Sequence, residues 1–168
     1  MHTITVTRSY LQLSSRHSIR SEQLADGVRI VHAHPCPISL FRSLYTEVGR
    51  DYRWRDRLIW TDEQCAAHLA KPEVSIWVLY VDGIPGGYFE LNAESDGSVE
   101  IAYFGLMREF IGRGLGKQLL AAAADRAWAL GASRVWLHTC TLDNPSALPN
   151  YLARGFEKYR EERYEIPA

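Results

Sequence analysis

The stretch FIGRGLGKQLL, residues 110–120, constrains this chain most. Three glycines, Gly112, Gly114 and Gly116, fall within five positions, directly ahead of an alanine-rich, helix-forming run. Glycine lets the backbone take positive φ and lets another molecule approach it closely. The first turn of a helix has unpaired N–H groups and a partial positive charge. Together they make a concave nest for an anion, to which Arg113 and Lys117 would add charge. A tight strand-to-helix turn with solvated cations accounts for the same residues. Two other phosphate motifs fail. The P-loop pattern needs glycine at 111 and Ser or Thr at 118, where Ile111 and Gln118 stand. The dinucleotide pattern needs glycine at 117 or 119, where Lys117 and Leu119 stand.

Around this turn the chain alternates between strand and helix patterns. TITVTR alternates as a strand, and residues 9–27 are polar without a clear period. VRIVHAH reads as a strand. PISLFRSLYTEVG has helical apolar spacing through Ile38, Phe41, Leu44, Tyr45 and Val48. TDEQCAAHLA opens with Thr61 and has Gln64 three positions on, the capping-box pattern of a second helix. VSIWVLYV, a DG turn and IPGGYFELNA predict a hairpin, and SVEIAYFGL a further strand. A helix is predicted from Leu115 to Leu130, closed by Gly131. RVWLHT follows as a strand. NPSALPNYLARGF predicts a short helix with Asn144 as N-cap, Pro145 in the first turn and a kink at Pro149. EKYREERYEI predicts a last strand. Meander strands followed by strand–helix–strand units mean a mixed sheet with helices on its faces, an α/β fold.

At 168 residues the chain suits one domain with one sizeable core. Hydrophobic residues at 46% and charged residues at 23% fit a soluble globular protein. A formal net charge of -1 gives no overall pull toward nucleic acid or an anionic membrane. No apolar run approaches the roughly 20 residues that span a bilayer. MHTITVTRSYLQL lacks a secretory signal's apolar centre. Cys36, Cys65 and Cys140 are scattered and odd in number, which argues for free thiols in a reducing compartment, the cytoplasm by default.

The order of these pieces resembles the GNAT superfamily of acetyl-CoA-dependent N-acetyltransferases. The family signature is [RQ]-x-x-G-x-[GA] between a strand and a helix, and the chain reads IGRGLG from Ile111 to Gly116. The glycines match; Ile111 stands where the signature has Arg or Gln. SVEIAYFGL precedes the turn as in the family. Asn144, Ala147, Tyr151, Gly155 and Phe156 match the ending N-x-x-A-x-x-x-Y-x-x-x-G-F. The resemblance covers roughly residues 74–160. It implies a mostly antiparallel mixed sheet, splayed to admit CoA, within a single domain over residues 1–168. It implies that the N–H groups of Gly112, Arg113, Gly114, Leu115, Gly116 and Lys117 hold the pyrophosphate of acetyl-CoA. The pantetheine arm would pair with the backbone of Phe104 and Leu106, with Asn144 helping to hold it. No metal is implied, and no nucleic acid or membrane partner. Members of the family are often dimers, so a homodimer is compatible with the resemblance.

Two residues carry the expected chemistry. Glu100 lies in a strand apolar on both faces, and strict alternation places it with Ala102, Phe104 and Leu106. Desolvation there would raise its pKa toward the range of a general base, the role a glutamate at this place often has in the family. A strand-end glutamate paired with an arginine is the other reading. Tyr151 matches the family tyrosine that protonates departing CoA, and otherwise packs the short helix. In GRDYRWRDRLIW, Tyr52, Arg53, Trp54 and Arg55 are candidates for an anion-binding acceptor wall. The alternative is a surface loop whose arginines pair with Asp51, Asp56 and nearby acids. His32, His34 and Cys36 lack a fourth matched ligand for a metal. The expected reaction is direct attack of a primary amine, of a small molecule or peptide, on acetyl-CoA. A non-catalytic acyl-CoA-binding module and an enzyme for longer acyl chains remain as alternatives.

Overall fold

The computed structural model describes residues 2–16, 19 and 22–168. Seven strands and four α-helices follow one another among the described residues. They are β1 (Thr3–Leu13), β2 (Val28–His32), α1 (Ile38–Gly49), α2 (Asp62–Leu69), β3 (Val74–Val81), β4 (Ile84–Ala93), β5 (Ser98–Leu106), α3 (Leu115–Ala129), β6 (Arg134–Cys140), α4 (Ala147–Ala153) and β7 (Glu157–Pro167). The strands form one sheet in the order β2-β3-β4-β5-β6-β1-β7. Every neighbouring pair is antiparallel except β5 and β6. The fold is therefore the expected α/β fold with a mostly antiparallel mixed sheet.

Alternation along β4 divides the core in two. Phe89 and Leu91 face α3 and α4, packing with Leu115, Leu119, Leu120, Ala123 and Tyr151. Tyr88 faces α1 and α2, packing with Phe41, Leu44, Val48 and Cys65. The α2 capping box forms as expected: Thr61 Oγ1 accepts from Gln64 N at 3.2 Å, and Gln64 Oε1 accepts from Thr61 N at 2.9 Å. The DG turn has Asp82 at φ 49° and Gly83 at φ 81°, the positive pair a two-residue hairpin turn needs.

Four expectations change. β1 continues through Leu13, because β6 and β7 flank it and pair with it on both sides; part of the unassigned stretch 9–27 lies outside the described residues. β2 ends at His32, two residues short of the predicted end, with Pro35 and Pro37 close behind. The N-cap of α4 is Ser146, not Asn144. Asn144 instead forms a turn ahead of the helix: its Oδ1 accepts from Ser146 N at 2.9 Å and its backbone O from Ala147 N at 2.8 Å. Pro149 then falls in the first helical turn, where an N–H would lack an intrahelical partner, so it removes no helix bond and gives no reason for a kink.

Candidate active site

β5 and β6 open the sheet. They pair in parallel at Ser98–Arg134, Val99–Val135 and Glu100–Trp136, and the ladder stops there. β5 nevertheless runs on to Leu106 and β6 to Cys140. From residue 101 onward the β6-facing edge of β5 has no strand partner among the described residues, so Phe104 and Leu106 present main-chain groups to a gap. A cleft of about 1300 Å³ runs through that gap. The glycine turn lies along it, as do Glu100, Tyr151 and the loop 52–57.

A bulge decides which side chains face which part of the cleft. Leu91 pairs with Ile101 but Glu90 with Tyr103, leaving Ala102 as the extra residue. Simple alternation is therefore corrected. Glu100 shares a face with Tyr103, on the α1–α2 side, while Ile101, Phe104 and Leu106 face α3 and α4. Tyr151, 6% exposed, belongs to the α3–α4 side and meets Phe104 edge-on at 5.9 Å. Glu100 and Tyr151 thus reach the gap from opposite faces of the sheet.

Burial, then repulsion from Glu94 and Glu90, outweighs the attraction of Arg57 and pushes the Glu100 carboxyl up to about 7. It has no hydrogen-bond or ion-pair partner among the described residues. Burial first, and Asp143 second, pushes the Tyr151 phenol well above its usual value, so it keeps its proton.

At the other end, Gly112 at φ 83° and Gly114 at φ 74° turn the chain into α3, with Gly114 as its N-cap. The N–H groups of Gly112, Arg113 and Gly114 find no acceptor among the described residues. A Cβ at either glycine would meet nothing within 4 Å, so the space over the turn is open. Such a cradle fits the oxygens of a diphosphate. Gln118 steadies it: Nε2 donates to Gly114 O at 3.4 Å, and Oε1 accepts from Ala25 N at 2.9 Å. Lys117 and Gly116 line the cleft. The Leu115 side chain is core, 4% exposed, and Arg113 lies over the Phe110 ring at 5.2 Å; neither residue lines the cleft.

Tyr52, Arg53, Trp54 and Arg55 all reach the cleft. Asn144 Nδ2 donates to Tyr52 Oη at 3.3 Å, tying the two candidate binding regions together. Trp54 is largely a packing residue, edge-on to Tyr103 at 5.0 Å and Tyr88 at 6.4 Å. Arg53 holds φ 58°, a conformation uncommon outside glycine. The loop's acids do not take the pairing role expected of them: Asp51 pairs with Arg108, while Arg50 pairs with Glu47 at 2.6 Å.

Sequence reasoning passed over a buried network behind this wall. Arg57 grips Glu90 with two hydrogen bonds, 2.6 and 2.8 Å, and His68 Nε2 lies 3.1 Å from the same carboxylate. The Arg57 guanidinium stacks 4.1 Å from the Tyr103 centroid. Burial pushes the Glu90 carboxyl up, but hydrogen bonds from Arg57 and His68 more than offset this and hold it below its usual range. A carboxylate inside the apolar strand YFELN was the available signal. His32 stacks on Trp77 at 4.4 Å, a packing contact. Among the described residues, no group of three or more His, Cys, Asp or Glu could hold a metal ion. No described helix is long and apolar enough to cross a membrane.

A mixed sheet split at its parallel pair, with an open glycine turn at one end of the split and Glu100 and Tyr151 on its two faces, is an architecture suited to acyl transfer. Residues 40–156 match the acetyltransferase (GNAT) family, and the chain belongs to it. An uncharacterized N-acetyltransferase of Lactobacillus delbrueckii subsp. lactis is 31% identical over 112 residues, covering 62% of this chain and 64% of the relative. The match thus spans less than two thirds of that relative's length. Among solved structures, a GCN5-related N-acetyltransferase from Kribbella flavida has TM-score 0.69 at 19% identity, over 97% of this chain and 58% of that one. One from Sphaerobacter thermophilus has TM-score 0.72 at 17% identity, over 96% of this chain and 52% of that one. These two establish likeness of fold.

Proposed function

We propose that this chain moves an acetyl group from acetyl-CoA to the primary amine of a small molecule or peptide, within one domain formed by residues 1–168. The observation carrying this reading is the placement of Glu100 and Tyr151 on opposite faces of the β5–β6 gap. The turn at Gly112–Lys117 would hold the diphosphate, and the free edge at Phe104 and Leu106 the pantetheine arm. The amine nitrogen attacks the thioester carbonyl from the Glu100 side. Glu100, directly or through a water, takes the proton that nitrogen loses. A main-chain N–H of residues 104–106 would hold the developing oxyanion. As the C–S bond breaks, Tyr151 gives its proton to the sulfur and recovers one from solvent. A phenol of raised pKa is a weak acid, but a thiolate expelled into the same buried surroundings is correspondingly harder to leave charged. The test is thiol release from acetyl-CoA across a panel of amines, after calorimetry has measured acetyl-CoA binding. Binding without release for any amine would overturn the enzymatic reading.

A further inference from the structure

β1 brings a residue into the cleft that the mechanism above does not use. Arg8 lines the cleft from the far side of β6. Its Nη2 donates to Tyr164 Oη at 3.3 Å, and its guanidinium lies 5.1 Å from the Tyr164 ring centroid. Its Nε is buried with no partner. No carboxylate among the described residues lies within ion-pair distance of it. The acid opposite it on β7, Glu162, is engaged elsewhere, accepting from Tyr10 Oη at 3.1 Å and pairing with Arg160. A guanidinium that is partly desolvated, pinned and without a counter-ion is an anion site lacking its anion.

The register gives its position relative to the chemistry. Glu100 pairs with Trp136, and Arg8 faces Cys140 on the same strand. Trp136, His138 and Cys140 alternate onto one face, so Arg8 and Glu100 share the acceptor side of the sheet. The two pairs lie four positions apart on β6, about 13 Å of strand. His138, between them, is held to its neutral form by burial and then by Arg8, so it brings no competing cation.

Resting on the acetyl-transfer reading, we propose that Arg8, fixed by Tyr164, is a specificity-determining residue that binds a carboxylate of the acceptor, several atoms removed from the amine that is acetylated. One pinned guanidinium balances one negative charge, which suits a carboxylate monoanion.

The test compares 5-aminopentanoate with pentylamine, which has the same chain without the carboxylate. In the wild-type protein 5-aminopentanoate should have the lower KM, by about 10- to 100-fold, the worth of a hydrogen-bonded charge. Arg8→Gln should collapse the ratio of the two KM values to near one. Arg8→Lys, which keeps charge but not the fork, and Tyr164→Phe, which removes one hydrogen bond to the guanidinium, should each retain part of it. These two variants keep the test sound if Arg8→Gln fails to fold. Equilibrium binding of 5-aminopentanoate to CoA-saturated protein gives the same comparison without turnover. Loss of binding in Arg8→Gln with no acetylation of any amine would uphold the subsite and overturn the transfer reading. Equal KM values, or a ratio that survives Arg8→Gln, would overturn the subsite and leave transfer standing. An aminoalkyl phosphonate preferred over 5-aminopentanoate through Arg8 would overturn the carboxylate assignment.

Discussion

Glu100 and Trp136 form the last register pair between β5 and β6, and the sheet opens immediately beyond them. The proposed base therefore stands at the apex of the split. There its side chain leaves bulk water without reaching a partner among the described residues. Its raised pKa follows from the topology that makes the cleft.

Glu100→Gln tests that placement through both rate and stability. With a carboxyl at about 7, kcat/KM should rise with pH and level off above about pH 7. The glutamine variant should lack that limb and lose about 10²–10⁴-fold in rate. The loss should shrink at high pH, where more of the amine is already deprotonated. For stability, a carboxyl whose folded pKa is raised binds more protons folded than unfolded between about pH 4.5 and 7. Its contribution therefore falls as pH rises through that window. Glu100→Gln should gain melting temperature relative to wild type across the window, and the gain should be constant above it. A difference independent of pH would contradict the desolvated carboxyl.

Tyr151→Phe removes an oxygen that has no hydrogen-bond partner among the described residues while keeping the ring against Phe104 and Phe156. kcat should fall by about 10²–10⁴-fold with little change in melting temperature or CoA affinity. Because burial drives this phenol far up, wild type should show no fall in rate assignable to it up to pH 10. Near-normal turnover in the variant would reduce Tyr151 to packing.

The cradle is tested by two glycines that differ in conformation. Gly114→Val forces a β-branched residue into φ 74°, and its side chain would occupy the open space over the turn. Acetyl-CoA binding by calorimetry should weaken sharply. Gly116→Ala should be mild: its φ is not positive, and the new Cβ would lie 3.9 Å from both Asn150 Nδ2 and Leu106 Cδ1, ordinary contacts. Normal binding by a folded Gly114→Val variant would sink the nest.

The features legible in the sequence are those whose causes are local. Thr61 and Gln64 satisfy each other across three residues, and Asp82–Gly83 make their turn alone. Gly112 and Gly114 declare a bend wherever the rest of the chain goes. What escaped notice depends on distant partners. β1 extends past Arg8 because β6 and β7, more than 120 residues away, cover both its edges. The bulge at Ala102 exists only in the register of β5 against β4, so a two-residue period misassigned the face of Glu100. Asn144 had the right residue type for a cap, yet its side chain was taken by the turn and by Tyr52. Glu90 stands out as a carboxylate in an apolar strand, but its partner Arg57 is one of several loop arginines and is picked out only when loop and strand meet.

That pair gives the last prediction. Arg57 and Glu90 have side chains 9% and 1% exposed, so removing one leaves the other charged and largely out of water. Arg57→Ala should cost about 3–5 kcal/mol, measured by denaturant unfolding. It should also loosen the loop 52–57, raising the acceptor KM more than that of acetyl-CoA. Glu90→Leu alone should cost a comparable amount by stranding the guanidinium beneath Tyr103. Combining Arg57→Met with Glu90→Leu replaces both charges by apolar groups, and the double variant should be much more stable than the sum of the single losses predicts. The pH dependence has the opposite sign to that of Glu100. Glu90 has a depressed folded pKa, so its contribution is present above the usual carboxylate range and is lost as pH falls through the folded value. Wild type should lose stability on acidification, and the double variant should lose less. Strict additivity in the cycle, or equal acid sensitivity in the two proteins, would show that the pair contributes no coupling.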